Sequence, residues 1–151
     1  IADETGRPSR TGDVAEVDPS LLRDLWSAGY TPVIAPPSSA GDGSALNINA
    51  DDVALAFAEA LAAESLLFLS DVEGVRVEGD LVNSLTPLMT EAQIAAGEIS
   101  GGMIPKVRNA IRALAHGVGQ VVIGRYTAAG DLERLLEGVR GTTILQTEEA
   151  V

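Results

Sequence analysis

Apolar residues along this chain fall into helical stripes separated by short continuous runs, and that alternation predicts most of its elements. Leu21, Leu22, Leu25 and Trp26 recur at helical spacing after Asp18-Pro19, an N-cap followed by a residue suited to a first turn, so 18–29 reads as a helix stopped by Gly29. Before it, Asp13 to Val17 alternates as a short strand does; after it, Thr31 to Ala35 is an apolar run closed by Pro36-Pro37, the pattern of a strand covered on both faces. Val53, Leu55, Ala56, Ala58, Leu61 and Ala62 predict a second helix ending near Glu64. Leu66 to Ser70 and Val121 to Gly124 are further buried-type strands, and Thr142 to Leu145 a last one. Thr90 and Gln93 have capping-box spacing for a short helix to Ala96. Pro105, Val107, Ile111, Leu114 and Ala115 predict another, closed by Gly117, and Ala129 to Glu137 a final one. The rest reads as connection: a turn or hairpin tip over 1–12, poorly ordered, a flexible loop over Ser38 to Ser44, and a hairpin or loose excursion around Gly79-Asp80.

Strand and helix alternate in this order, which calls for an α/β fold: an open, mostly parallel sheet with right-handed crossovers and helices on both faces. In such sheets ligands bind beyond the carboxyl ends of the strands. Three loops leave those ends: Ala35 to Asp51, Ser70 to Gly74, and the segment leading to Lys106.

Composition narrows the picture. The 151 residues are about one domain's length, 46% hydrophobic but only 3% aromatic, so the core is built of Ala, Val, Leu and Ile, favouring packed α/β layers over an aromatic β-sandwich. A formal charge of -12 argues against nucleic acid or an anionic membrane as partner, since both require a basic face. An anionic ligand must be held locally. The absence of cysteine excludes disulfides and thiol chemistry and suits a cytoplasmic setting, and with one histidine it leaves no transition-metal site. No targeting segment is visible, and the apolar runs are far shorter than the roughly 20 residues of a membrane span. The chain opens at Ile1 rather than methionine, as a fragment or a processed product would. There is no Walker loop, Rossmann fingerprint, nucleophile elbow or zincin motif.

The candidate chemistry lies in three places. Ser100-Gly101-Gly102-Met103-Ile104-Pro105-Lys106 is a glycine loop feeding a helix. Free N–H groups at such a helix start attract anions, Lys106 adds a mobile charge, and phosphate is the natural guest. An ordinary αα connection with a solvated lysine has the same spacing. Asn47 and Asp51 are four apart, so a helix that began early would join an amide and a carboxylate on one face; Asn49 and Asp51 also suit plain capping. Ser70-Asp71-Val72-Glu73-Gly74 could meet a nucleotide with its backbone and Asp71, or form a capped βα turn. His116 before Gly117 reads as structural at a helix end, and Glu148 and Glu149 as solvated charge.

Together, Asn47 to Asp51, Leu69 to Val75 and Ile99 to Lys106 resemble, in order and spacing, the motifs of the amino acid kinase family, within it the branch acting on N-acetyl-L-glutamate. Gly29 to Pro36 and Gly141 to Ile144 resemble its flanking segments. The resemblance implies phosphoryl transfer from ATP, with Mg2+ on the nucleotide, to the side-chain carboxylate of N-acetyl-L-glutamate on the way to arginine. It makes Lys106 and Asp51 catalytic, the first stabilising the phosphates and the second organising the lysines, and Asn47 the residue binding the amino acid. Asp71, Val72, Gly74, Arg76, Glu98 and Ser100, with Lys106, would border the nucleotide; no metal is expected on protein side chains. Missing from residues 1–151 are the family's opening lysine-glycine loop and the segments that clamp the acceptor. The chain thus reads as the C-terminal nucleotide-binding half of a kinase that is homo-oligomeric when full length, with little activity alone. A kinase of carrier-linked glutamate or aminoadipate, or a non-catalytic nucleotide-binding regulatory module, are the alternatives.

Overall fold

The computed structural model describes residues 11–147. In order they form α1 (Ser20–Ser27), a hairpin of β1 (Ser38–Ser39) and β2 (Ala45–Leu46), α2 (Ala50–Leu61), β3 (Ser65–Leu69), and a hairpin of β4 (Arg76–Val77) and β5 (Asp80–Leu81). Then follow β6 (Ser84–Leu85), α3 (Pro87–Ala96), α4 (Met103–Ala115), β7 (Gln120–Gly124), α5 (Asp131–Leu136) and β8 (Thr142–Ile144). The main sheet has the order β3-β7-β8-β6. β3 and β7 run parallel, with Ser65 opposite Gln120 and Leu69 opposite Gly124. β8 returns antiparallel to β7, and β6 lies parallel to β8.

Helices cover both faces because side chains on a strand alternate. Val121 and Ile123 of β7 join Leu66 and Phe68 of β3 in the buried cluster with Leu55 and Ala58 of α2 and Val107, Ala110 and Leu114 of α4. Val122 and Gly124 point the other way, toward α5. There a Cβ on Gly124 would lie 2.3 Å from Leu135 Cδ2, so only glycine admits this helix so close. β7, flanked on both sides, is buried over Val121 to Gly124, whereas β3 is an edge strand whose Leu69 is half exposed. The double cover expected of Leu66 to Ser70 therefore holds for one face only.

Two expected strands do not form. Thr31 to Ala35 pairs with nothing among the described residues, and Val33 is 96% exposed. Pro32, Pro36 and Pro37 lack donors, and no described strand offers the run an edge. Asp13 to Val17 is likewise irregular. Conversely, Ser38 to Ser44, expected as a flexible loop, opens the β1–β2 hairpin, its turn closed by Ala40 N–H to Ser44 O at 2.8 Å and by Ser44 N–H to Asp42 Oδ1 at 2.9 Å. The excursion at Gly79-Asp80 is the β4–β5 hairpin, with Glu78 and Gly79 both left-handed at φ +53° and +86°.

Helix starts shift where a better cap precedes the expected one. Thr86 caps α3, its Oγ1 accepting from Met89 N–H at 3.2 Å, so Thr90 lies inside the helix and donates back to Thr86 O at 2.8 Å. α4 begins at Met103, which makes Pro105 its third residue. Gly97 and Gly117 do end α3 and α4, at φ +82° and +95°. The expectation for residues 1–12 lies mostly outside the described residues, as do Glu148 and Glu149; Gly12 donates to Asn47 O at 3.1 Å.

Candidate functional site

α2 and α4 lie side by side and run the same way: Asp51 meets Lys106, Asp52 meets Asn109, and Glu59 meets Arg112, at successively later positions in both helices. Their N-termini therefore stand together, and two positive dipole ends point at one region. Lys106 is the fourth residue of α4, and its ammonium lies 2.5 Å from Asp51 Oδ2 and 5.6 Å from the centre of the Phe68 ring. Both the carboxylate and the ring face favour the cation there. Lys106 is only partly buried, with 23% of its side chain exposed, so a donor face remains open to a ligand.

One helical turn before Lys106, Met103 closes a cleft of about 210 Å³ whose other walls are Val72, Gly74, Arg76, Glu98, Ile99 and Ser100. Glu98 builds a wall by tying two segments together: its Oε2 accepts from Glu78 N–H at 2.8 Å, fastening the β4–β5 hairpin to the α3–α4 connection. Arg76 Nη1 donates to Gly79 O at 2.7 Å, bracing the same hairpin.

The floor is fixed from β8. Thr142 Oγ1 accepts from Val75 N–H at 2.8 Å and donates to Val82 O at 2.6 Å, satisfying a buried and a half-buried backbone group at once. A Cβ on Gly74 would sit 2.7 Å from that Oγ1, so glycine is what lets the loop lie against the strand. Glu73 turns away from the cleft to Arg140 Nη2 at 2.8 Å, and Arg140 Nη1 reaches Asp131 Oδ1 at 2.5 Å. The Thr127 hydroxyl, then the N–H groups of Thr127 and Ala128, hold the buried Asp131 carboxyl far below its ordinary 3.8; burial opposes this, and Arg140 adds to it. Glu73, then Asp131, raises Arg140.

A pH dependence follows. Because the folded-state pKa of Asp131 lies below its ordinary 3.8, its contribution to stability is complete above that value and is lost as the pH falls through the folded-state value. Asp131→Asn should melt lower at neutral pH and show a shallower acid limb below pH 3.8. Melting curves that run parallel for wild type and variant down to pH 2 would contradict this.

Of the residues singled out from sequence, Lys106 and Asp51 are in contact, and Val72, Gly74, Arg76, Glu98 and Ser100 line one cleft. Asp71 sits at the exposed head of the loop, accepting from Ser70 Oγ at 3.2 Å, and is not among the cleft's walls. Asn47 shares no helix face with Asp51, because α2 begins only at Ala50 under the Asn49 cap, which accepts from Asp51 N–H at 2.8 Å. His116 caps α4, 3.4 Å from Glu59. Phe68, Thr142, Arg140 and Asp131 were not singled out, and Glu73 only as part of its loop. Thr142, polar at the head of an apolar run, carried a faint signal; Arg140 carried none.

A larger hollow of about 470 Å³ lies between Asp13 to Asp18 and Ile34 to Gly41, with Phe57 at its base. Its charged walls, Asp13, Glu16 and Asp18, are all acidic, so size there comes without the chemistry of an anion site. Among the described residues no cluster of side chains fits a metal, and no helix is long and apolar enough to cross a membrane.

Two helix starts, one anchored ammonium and a cleft among the loops leaving the sheet give this α/β domain an edge with the chemistry suited to an anion. The Amino acid kinase family profile matches residues 2–125, and the chain belongs to that family. It is 44% identical over 142 residues to an acetylglutamate kinase of Chloroflexus aggregans, covering 93% of this chain and 52% of that one. With an acetylglutamate kinase of Bacillus velezensis the identity is 41% over 140 residues, covering 93% and 53%. The chain thus spans about half the length of these relatives. In three dimensions it is similar to N-acetylglutamate synthase from Neisseria gonorrhoeae, solved with coenzyme A and L-arginine, at a TM-score of 0.83 and 26% identity over 97% of this chain and 35% of that one.

Proposed function

We propose that this chain is the nucleotide-binding half of a kinase that phosphorylates the side-chain carboxylate of N-acetyl-L-glutamate. The observation that carries the reading is the Lys106 ammonium held by Asp51 at the joined starts of α2 and α4, one turn beyond the cleft. The relatives' names supply the acceptor.

In this reaction an oxygen of the acceptor carboxylate forms a bond to the γ-phosphorus of ATP as the bond from that phosphorus to the β–γ bridging oxygen breaks, leaving ADP. A carboxylate is already ionised at neutral pH, so no proton need be removed to make it a nucleophile. The protein is asked to position the partners and to meet charge moving toward the leaving group. Lys106 would meet that charge, with Asp51 and Phe68 keeping the ammonium in place before the nucleotide arrives. Val72, Gly74, Arg76, Glu98 and Ser100 would receive the nucleoside, Asp71 would stand at the mouth, and Asn47 would reach the acylated amino acid. Mg2+ would arrive on the phosphates.

Calorimetry of residues 1–151 with MgATP is expected to show saturable one-to-one binding that ADP displaces, with no acyl phosphate trapped by hydroxylamine when N-acetyl-L-glutamate is added. No saturable heat from either nucleotide up to millimolar concentration would overturn the nucleotide reading. Normal turnover would overturn the assignment of this chain as a half.

A further inference from the structure

Glu73 lies between two residues of the cleft wall, Val72 and Gly74, yet its carboxylate points out of the cleft, to Arg140 at 2.8 Å and Arg125 at 3.8 Å. Arg140 also grips Asp131, whose side chain is 4% exposed and already held by three donors of the turn after β7. A guanidinium is a planar fork, so fixing one prong fixes the other. Asp131 is held in place, since its three other donors all belong to the α5 entry turn. Arg140 is therefore held, and Glu73 with it.

We propose that Arg140 is a positioning residue for nucleotide affinity: it clamps the loop between β3 and β4 so that Val72 and Gly74 present a preformed wall to the nucleoside. The inference rests on the nucleotide reading above. Arg140 is outside the cleft's walls; it acts through Glu73. The packing of Gly74 against Thr142 keeps the loop near β8 without it, and what the fork adds is a single orientation of the Glu73 peptide. Losing that orientation reduces affinity by the fraction of loop conformers that can accept a ligand.

The clamp and the phosphate site are separate, which sets the experiment. Calorimetry compares MgATP with magnesium tripolyphosphate, which has no nucleoside, on wild type, Arg140→Ala, Glu73→Ala, the double variant and Arg140→Lys. MgATP affinity is expected to fall about tenfold in each alanine variant, and no further in the double, because both remove the same link. Tripolyphosphate, needing only Lys106 and the helix starts, should bind all of them alike. Lysine keeps the charge but cannot bridge both carboxylates, so Arg140→Lys should still lose several-fold. Wild-type ATP affinity in Arg140→Ala, or in Arg140→Lys should the alanine variant fail to fold, would overturn the proposal, as would equal losses for both ligands. A wild-type chain that binds no ATP sinks the nucleotide reading first and this inference with it.

Discussion

Lys106→Ala is expected to remove saturable MgATP binding by this chain while leaving its melting temperature nearly unchanged. The ammonium is the cation fastened at the joined starts of α2 and α4, and its partner Asp51 is itself 32% exposed. Deleting the lysine takes away a positive charge and also uncovers a negative one facing incoming phosphates, so the effect on affinity exceeds that of a lost contact. In the complete kinase the loss should appear in kcat, by about 10²–10³-fold, the scale for removing one group aimed at charge that develops in a transition state. A partly exposed ion pair contributes only about 1 kcal/mol to stability, so the fold should persist. Asp51→Asn separates the roles: the ammonium remains but is no longer anchored, and affinity should fall less than in Lys106→Ala. Calorimetry beside thermal melting reads both quantities. If Lys106→Ala bound MgATP as tightly as wild type, the lysine would not be at the phosphates.

Gly141→Ala should be the most destabilising single-methyl change of those considered. Gly141 sits at φ +78°, where an L-residue costs about 1–2 kcal/mol, and a Cβ there would lie 2.7 Å from Ile123 O and 2.7 Å from Leu135 Cδ2. The first neighbour is backbone of the central strand and cannot turn aside. Either β8 moves off β7 or the turn rebuilds, and strain with clash together should reach about 3 kcal/mol, or a fall of about 10 °C in melting temperature for a chain this size. Gly138→Ala is the matched control. It has φ +70° but no neighbour closer than 3.9 Å, so it pays the conformational cost alone. Equal melting temperatures for the two alanine variants would show that the close approach of β8 to β7 is relieved at no cost.

Much of the candidate site was readable because it depends on local chemistry. Gly101 and Gly102 before a helix, with Lys106 one turn in, declare a helix start that tolerates an anion, and α4 begins there, at Met103. The five residues that the family resemblance, rather than local chemistry, set around the nucleotide come from two stretches about twenty-five residues apart that line the same cleft. The helix face that spacing would have given Asn47 and Asp51 did not form, since Asn49 supplied the stronger cap and started α2 too late to include Asn47. The α3 start moved for the same reason, to Thr86.

The amino-acid order by itself determined the elements whose signals are internal: the amphipathic stripes of α2 and α4, the glycine that ends α4, the core strands β3 and β7, and the loops that carry Asp51, Asp71 and Lys106. Periodicity and capping are written within a few residues of where they act, so a linear reading recovers them. Only the tertiary structure decided that Thr31 to Ala35, with a strand's composition, lies outside the sheet, that α2 and α4 run the same way so that Asp51 reaches Lys106, and that Arg140 ties Asp131 to Glu73, 67 positions before Arg140 in the chain. Strand pairing and ion pairing need a partner, and which partner is near depends on how every other segment packs.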